Sequence, residues 1–343
     1  MTIAQAQRRA ALTRQPDGTY RLTIEQAPVP TPAEHEVLVR VHAASLNRRD
    51  VYVLRGQYPM PPRESLVPLS DGAGEIVAVG AGVTRFKTGE RVAATFFQRW
   101  LQGRPSAETP GSALGGQLDG MLSQYVCLSQ EGLVRIPQGY SYEEAATLPC
   151  AAVTAWNGLV TRGRMRPGDN VLLLGTGGVS VFGLQFAAAA GARALVTSSS
   201  DEKLAHAKRL GAAATINYRS TPEWSGAVRA ATDGVGAHQV LEVGGVGTLA
   251  QSLASLAPGG HIALIGGLAG FGGDIPAMAL LHANATASGI YVGSRADFEA
   301  MNAFIDQHRI RPVIDRTYTL DEAGAAYQQV EAGRHFGKVV ITL

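Results

Sequence analysis

The chain has 343 residues, too many for one small core and enough for two domains. Glycine supplies 41 of them, well above the usual ~7%, and no G-X-Y period organises it, so a collagen-like rod is excluded. Lys and Arg number 30 against 28 Asp and Glu, a formal charge of +2 with no basic run, which gives no pull toward nucleic acid.

The two cysteines, Cys127 and Cys150, form neither a CxxC pair nor a cluster, so a disulfide framework and a Cys-rich zinc lobe are excluded. No apolar run reaches the ~18–20 residues of a membrane span. Residues 1–14 lack the apolar core of a secretory leader, and a cytoplasmic protein is expected.

The first part of the chain reads as β-rich. Residues 21–24 and 36–42 alternate apolar and polar side chains, as half-buried strands do, with Pro28, Pro30 and Pro32 between them. Further strands are expected at 74–80, 91–96 and 123–128, around a Gly-, Pro- and Ser-rich loop at 98–120. Ser141 followed by Glu144 is a capping box and marks a helix start.

The rhythm then changes. Short all-apolar runs at 170–174, 192–197, 215–216, 240–243 and 261–265 alternate with helical patterns at 179–190 and 201–210. Strands alternating with helices imply a doubly wound α/β domain with a buried parallel sheet. At the first strand-to-helix turn stands Gly175-Thr176-Gly177-Gly178-Val179-Ser180, a G-x-G-x-x-[G/A] fingerprint with Ser in the last place. The first glycine permits the tight turn, the second lets backbone approach a pyrophosphate, and the helix N-terminus meets its charge.

After the second strand the chain reads Thr197-Ser198-Ser199-Ser200-Asp201-Glu202-Lys203. A carboxylate at the strand tip would grip the ribose 2′-OH of NAD; hydroxyls and an ammonium suit the 2′-phosphate of NADP. Ser198, Ser199 and Lys203 are therefore assigned to NADP(H), while Ser200 also reads as an ordinary helix cap.

With these motifs the chain resembles the medium-chain dehydrogenases/reductases, and among them the zinc-free quinone oxidoreductase branch, over nearly its whole length. The resemblance implies a GroES-like catalytic domain, residues 1–150 plus 291–343, interrupted by a Rossmann NADP-binding domain, residues 151–290. Where zinc-dependent members place their metal ligands, this chain has Asn47, Ser70 and Cys150. One thiolate cannot hold catalytic zinc, so no metal is expected.

The resemblance further implies Asn47 and Tyr52 as catalytic groups. It assigns Thr154, Tyr218, Val243, Gly266, Gly267, Tyr291, Val292 and Lys338 to the cofactor, beside Gly175, Gly177, Gly178 and Val179. Lys338 is taken as a phosphate contact. The implied activity is hydride transfer from NADPH to a small electrophilic substrate, a quinone or an α,β-unsaturated carbonyl. A zinc-independent alcohol or aldehyde dehydrogenase and a non-catalytic, crystallin-like NADPH binder are the other readings. A homodimer through the edge of the Rossmann sheet, with no nucleic-acid or membrane partner, completes the expectation.

Overall fold

The computed structural model describes residues 3–61, 63–270, 272 and 274–343. The chain divides into two compact units: Met1–Val153 with Gly293–Leu343, and Thr154–Val292 inserted between them in sequence. Among the described residues no helix is long and apolar enough to cross a membrane.

The first unit opens with β1 (Ala6–Arg14) and β2 (Tyr20–Pro28), an antiparallel pair. Sequence alternation marks β2 but not β1, where Arg8 and Arg9 interrupt the apolar pattern. Pairing settles β1 as a strand: Ala10, Ala11 and Leu12 go inward, and Arg9 reaches across to Glu25. Next come β3 (Glu36–Leu46), β4 (Ser65–Leu66), β5 (Asp71–Val79), β6 (Arg91–Ala94), β7 (Tyr125–Ser129) and β8 (Leu133–Arg135).

In the second unit follow β9 (Asn170–Leu174), β10 (Arg193–Ser198), β11 (Ala214–Asn217), β12 (Ala237–Glu242), β13 (Leu256–Leu264) and β14 (Thr286–Gly289). They form one parallel sheet in the order β11-β10-β9-β12-β13-β14. This is the Rossmann order, and its direction of winding reverses between β9 and β12, where sheets of this kind bind nucleotides at the strands' carboxyl ends. Leu172, Leu195, Val240 and Ile262 are buried in its core, which explains the continuous apolar runs.

The chain then returns to the first unit with a helix at Arg295–His308, β15 (Ile314–Thr319), a helix at Ala323–Glu331 and β16 (Lys338–Thr342). The larger sheet runs β15-β16-β3-β5-β6-β8, with β7 also on β3. Its register matters for function. Ser45, near the end of β3, lies opposite Asp71 at the start of β5, and Leu46 lies opposite Val339 at the start of β16. Three distant stretches of sequence thereby meet at one end of β3. The fold is a GroES-like domain with an inserted Rossmann-like domain, as the sequence led us to expect.

Candidate active site

In the second unit, the turn after β9 carries the fingerprint. Gly175 has φ +74°, a conformation L side chains rarely adopt. Gly177 precedes the twelve-residue helix Gly178–Ala189, and no side chain caps that helix. Its first N–H groups, those of Gly178 and Val179 among them, are therefore left for a ligand. A methyl built on Gly175 or Gly177 would meet nothing within 4 Å, so open space lies beside this backbone. These features fit a bound pyrophosphate. Ser180 turns inward instead, donating its hydroxyl to Leu174 O at 2.6 Å. Close helix–sheet packing falls to Gly183, whose Cβ would lie 2.8 Å from Leu241 and 2.9 Å from Leu173.

Two neighbouring strand ends are equally shaped. Glu242, fully buried at the end of β12, accepts the N–H of Gly244 at 2.7 Å and of Gly245 at 3.0 Å, and the Thr248 hydroxyl at 2.6 Å. Its other oxygen accepts the Ser252 hydroxyl. This carboxylate fixes the bend that follows Val243. The Leu268 N–H donates to Val243 O, and the Gly266 N–H to Glu242 O, so the loop carrying Gly266 and Gly267 is tied to that bend. Val292 has φ +59°, unusual for a β-branched residue, and its carbonyl accepts the Asn157 amide at 2.7 Å. The adjacent Tyr291 is exposed, whereas Thr154 is buried.

At the end of β10, Ser200 caps the helix Asp201–Arg209 through the Lys203 N–H. Ser199 and Lys203 are half-buried, and Tyr218 is exposed, its N–H donating to Ser198 O. The Ser198 side chain is buried, and its hydroxyl accepts the Ser200 N–H at 3.3 Å, which shapes the turn.

In the first unit, the meeting point at the end of β3 is a buried polar cluster. Asn47 leads into the helix Arg48–Leu54, and its N–H donates to Asp50 Oδ2 at 2.7 Å. Tyr52 lies on the same helix, half-buried, with the Arg48 guanidinium 5.6 Å from its ring centre. Lys338 is 3% exposed, and its ammonium donates to Leu46 O and to Asn47 Oδ1, each at 2.6 Å. It lies 3.7 Å from Asp71 Oδ2. Lys338 therefore corrects the sequence reading: its ammonium is buried against protein acceptors in this unit and does not present a phosphate contact.

Asp71 gathers the rest. Ser70 donates its hydroxyl to Oδ1 at 2.7 Å, and the Cys150 N–H donates to Oδ2 at 3.3 Å. Burial pushes the Asp71 carboxyl up, opposed by the Lys338 ammonium. Burial likewise pushes the Cys150 thiol up, and lifts Asp50 from 3.8 to about 6. The Asn47 amide faces Asp71 closely enough to favour its charged form, yet Nδ2 is buried with no hydrogen bond of ordinary geometry. Leu69, just before Ser70, has φ +68° and is held by the 115–121 stretch, where Met121 N donates to its carbonyl at 2.7 Å. Arg49 ties the same stretch down, donating to Leu114 O and Gly115 O.

Comparison with known proteins now identifies the family. The description "Zinc-binding dehydrogenase" matches residues 178–307, and "Alcohol dehydrogenase GroES-like domain" matches residues 33–138. A zinc-type alcohol dehydrogenase-like protein of Schizosaccharomyces pombe is 49% identical over 315 residues, covering 90% of this chain and 91% of its own. The chain belongs to the zinc-type alcohol dehydrogenase-like, medium-chain dehydrogenase family.

A second family member, YogA of Leptosphaeria maculans, is 35% identical over 94% of this chain and 95% of its own. Among solved structures, a candidate alcohol dehydrogenase of Sinorhizobium meliloti superposes with a TM-score of 0.94 at 41% identity, over 100% of both chains. This medium-chain dehydrogenase is thus an NAD(P)-dependent oxidoreductase that binds a pyridine nucleotide. Sequence reasoning missed Glu242, Asn157 and Gly183, which build its nucleotide half. It also missed Asp71, the residue after Ser70; a carboxylate flanked by Ser and Gly was the available signal.

Proposed function

We propose that this oxidoreductase uses NADPH to reduce an electron-poor acceptor, a quinone or an α,β-unsaturated carbonyl, without a catalytic metal. The observation that carries this reading is the Lys338 ammonium on Asn47 Oδ1, a protein cation set among the positions where zinc-dependent relatives carry ligands. The donor set does not fit zinc. Asn47 offers an amide oxygen already bound to Lys338, and the Ser70 hydroxyl is turned to Asp71, which leaves Cys150 as the one thiol of the set. Among the described residues, no group of three or more His, Cys, Asp and Glu side chains converges as a metal site would require.

When bound, NADPH supplies a hydride to the acceptor. The chain's own residues hold the nucleotide and polarise the acceptor. Gly175, Gly177 and the N–H groups of Gly178 and Val179 receive the pyrophosphate, and Ser199, Lys203 and Tyr218 receive the 2′-phosphate. Asn47 and Tyr52 are the groups assigned to the acceptor oxygen, where negative charge develops. The proton that balances the hydride comes from the Tyr52 phenol or from water, and Tyr52→Phe separates the two. Without a Lewis acid nothing lowers the pKa of an alcohol, so its oxidation is disfavoured, while an enone or quinone needs less activation. A crotonyl-CoA carboxylase/reductase, named for an α,β-unsaturated substrate, shares the fold at 26% identity and a TM-score of 0.86.

The test follows oxidation of NADPH and of NADH with 1,4-benzoquinone, a linear enone and the reverse reaction of a primary alcohol, with metal content measured on the same sample. Turnover is expected with NADPH and the quinone or enone. Stoichiometric zinc, or alcohol as the better substrate, overturns the reading. A second reading, alcohol dehydrogenase, is favoured by the relatives' names, among them an NAD-dependent alcohol dehydrogenase 33% identical to this chain. A homodimer through β14, the outer strand of the Rossmann-like sheet, is part of the proposal and is read by light scattering.

A further inference from the structure

We propose that Asn217 is a positioning residue for cofactor choice: its side-chain amide holds the Asp201 carboxylate at the outer edge of the sheet, away from the 2′-phosphate of NADPH. The proposal rests on the reading that Ser199, Lys203 and Tyr218 receive that phosphate, and adds the device that keeps a nearby acid from opposing them.

Register places Asn217, the last residue of β11, beside Ser198, the last residue of β10. The Tyr218 N–H ties the two strand tips together by donating to Ser198 O at 3.1 Å. Asp201 is the first helical residue after the Ser200 cap, where the helix dipole favours an acid. It is also the first carboxylate after the tip of β10. A carboxylate that reached the ribose would grip a 2′-OH and repel a 2′-phosphate. The Asn217 amide decides which way this one turns. Its oxygen accepts the Arg219 N–H at 3.0 Å, closing the turn that carries Tyr218. A backbone N–H can be met only by the oxygen, so the orientation of the amide is fixed. Nδ2 is then left for Asp201, sixteen positions back in the chain, and donates to its Oδ1 at 2.7 Å. Asp201 and Asn217 both line a groove of about 500 Å³ beside β11, the outer strand of the sheet, together with Leu204, Thr215, Ser220 and Thr221. Among the described residues, Ser199, Lys203 and Tyr218 do not line it. The carboxylate is thus tethered at the groove, and the hydroxyl, ammonium and phenol assigned to the phosphate lie outside it.

Fluorescence titrations with NADPH and NADH test this, with a thermal melt on each variant. The wild-type ratio of the two Kd values judges the NADPH reading by itself; the change in that ratio judges the role of Asn217. Asn217→Ala is expected to raise the Kd for NADPH by about tenfold and to leave that for NADH within about twofold. In an Asp201→Asn background the same change is expected to have almost no effect on either nucleotide. An unchanged ratio in Asn217→Ala overturns the proposal. So does an equal rise for both nucleotides, the mark of a collapsed turn, or an NADPH loss that persists undiminished in Asp201→Asn. Asn217→Ser separates the two ends of the amide. A serine hydroxyl there can still accept the Arg219 N–H but is too short to reach Asp201. Its NADPH loss is expected to match that of Asn217→Ala, and a wild-type ratio in this variant overturns the proposal.

Discussion

Ser180 donates its hydroxyl to the carbonyl of Leu174 at 2.6 Å, so the helix that follows the glycine turn is pinned to the strand that precedes it. The bond is internal and removes one carbonyl from any list of groups facing a nucleotide. Ser180→Ala should therefore lower stability by about 1 kcal/mol, the usual worth of one such bond, and leave the nucleotide Kd unchanged. Chemical denaturation and a binding titration check the two halves; a weakened Kd without lost stability would falsify the internal role.

Gly177 and Gly183 should separate binding from packing. A Cβ at Gly177 meets nothing within 4 Å, and its φ of −78° suits any residue. Gly177→Ala should keep the melting temperature and weaken NADPH binding by about tenfold, because the methyl occupies the space the pyrophosphate needs. Gly183→Val should do the reverse, losing about 1–3 kcal/mol by overpacking against Leu241 and Leu173. Thermal melts beside titrations show whether the two effects part in this way.

Glu242 offers a larger effect. Its carboxylate serves the N–H groups of Gly244 and Gly245 and the hydroxyls of Thr248 and Ser252. Glu242→Ala strands these donors in a buried place and should destabilise the protein by on the order of 3 kcal/mol. Nucleotide binding should weaken as well, since the bend after β12 loses its anchor. An unfolding free energy equal to wild type would refute the anchoring role.

Asp50 predicts a pH dependence. Burial raises its folded pKa from 3.8 to about 6. Between these values the folded state binds more protons than the unfolded state, so its contribution to stability falls as pH rises from about 4 to 6 and is flat above. The full swing is about 3 kcal/mol at most, and Asp71 is shifted in the same direction. Asp50→Asn keeps an oxygen for the Asn47 N–H and should flatten part of the slope, read as the difference between variant and wild-type unfolding free energies across that window. Identical slopes would show that Asp50 does not titrate there.

The proposed preference for NADPH rests on Lys203. Lys203→Ala should raise the Kd for NADPH by about tenfold and barely change that for NADH, because only the former has a 2′-phosphate to lose. Parallel titrations with the two nucleotides decide it, and equal weakening of both points to the helix cap at Ser200 as the real casualty.

Much of the nucleotide half was legible in the chain. The apolar run 170–174 is β9 to the residue, and the helix at 201–210 is observed as Asp201–Arg209. Buried parallel strands and glycine turns are local features, written in composition and spacing. The Ser141 capping box likewise holds, with the Ser141 hydroxyl accepting the Glu144 N–H at 3.1 Å. A strand tip does not reveal on which side of the turn a hydroxyl will fall, and only the structure shows Ser198 buried and accepting the Ser200 N–H. The place of the strands β15 and β16 is decided by pairing, β15 on β16 and β16 on β3.

The sequence by itself determined a Rossmann turn, a β-rich partner domain and the residue types at Asn47, Ser70 and Cys150. Each of these is a matter of residue type and short spacing. Only the tertiary structure decided where Lys338 goes. Its ammonium meets an amide 291 positions away in the chain because β16 pairs with β3 in one register, and no local pattern specifies that pairing. The same register sets Asp71 opposite Ser45 and turns three unrelated stretches into one buried polar cluster. A lysine that sequence alone offers to a phosphate is thereby committed to an asparagine, because a buried ammonium must find protein acceptors where water cannot reach it.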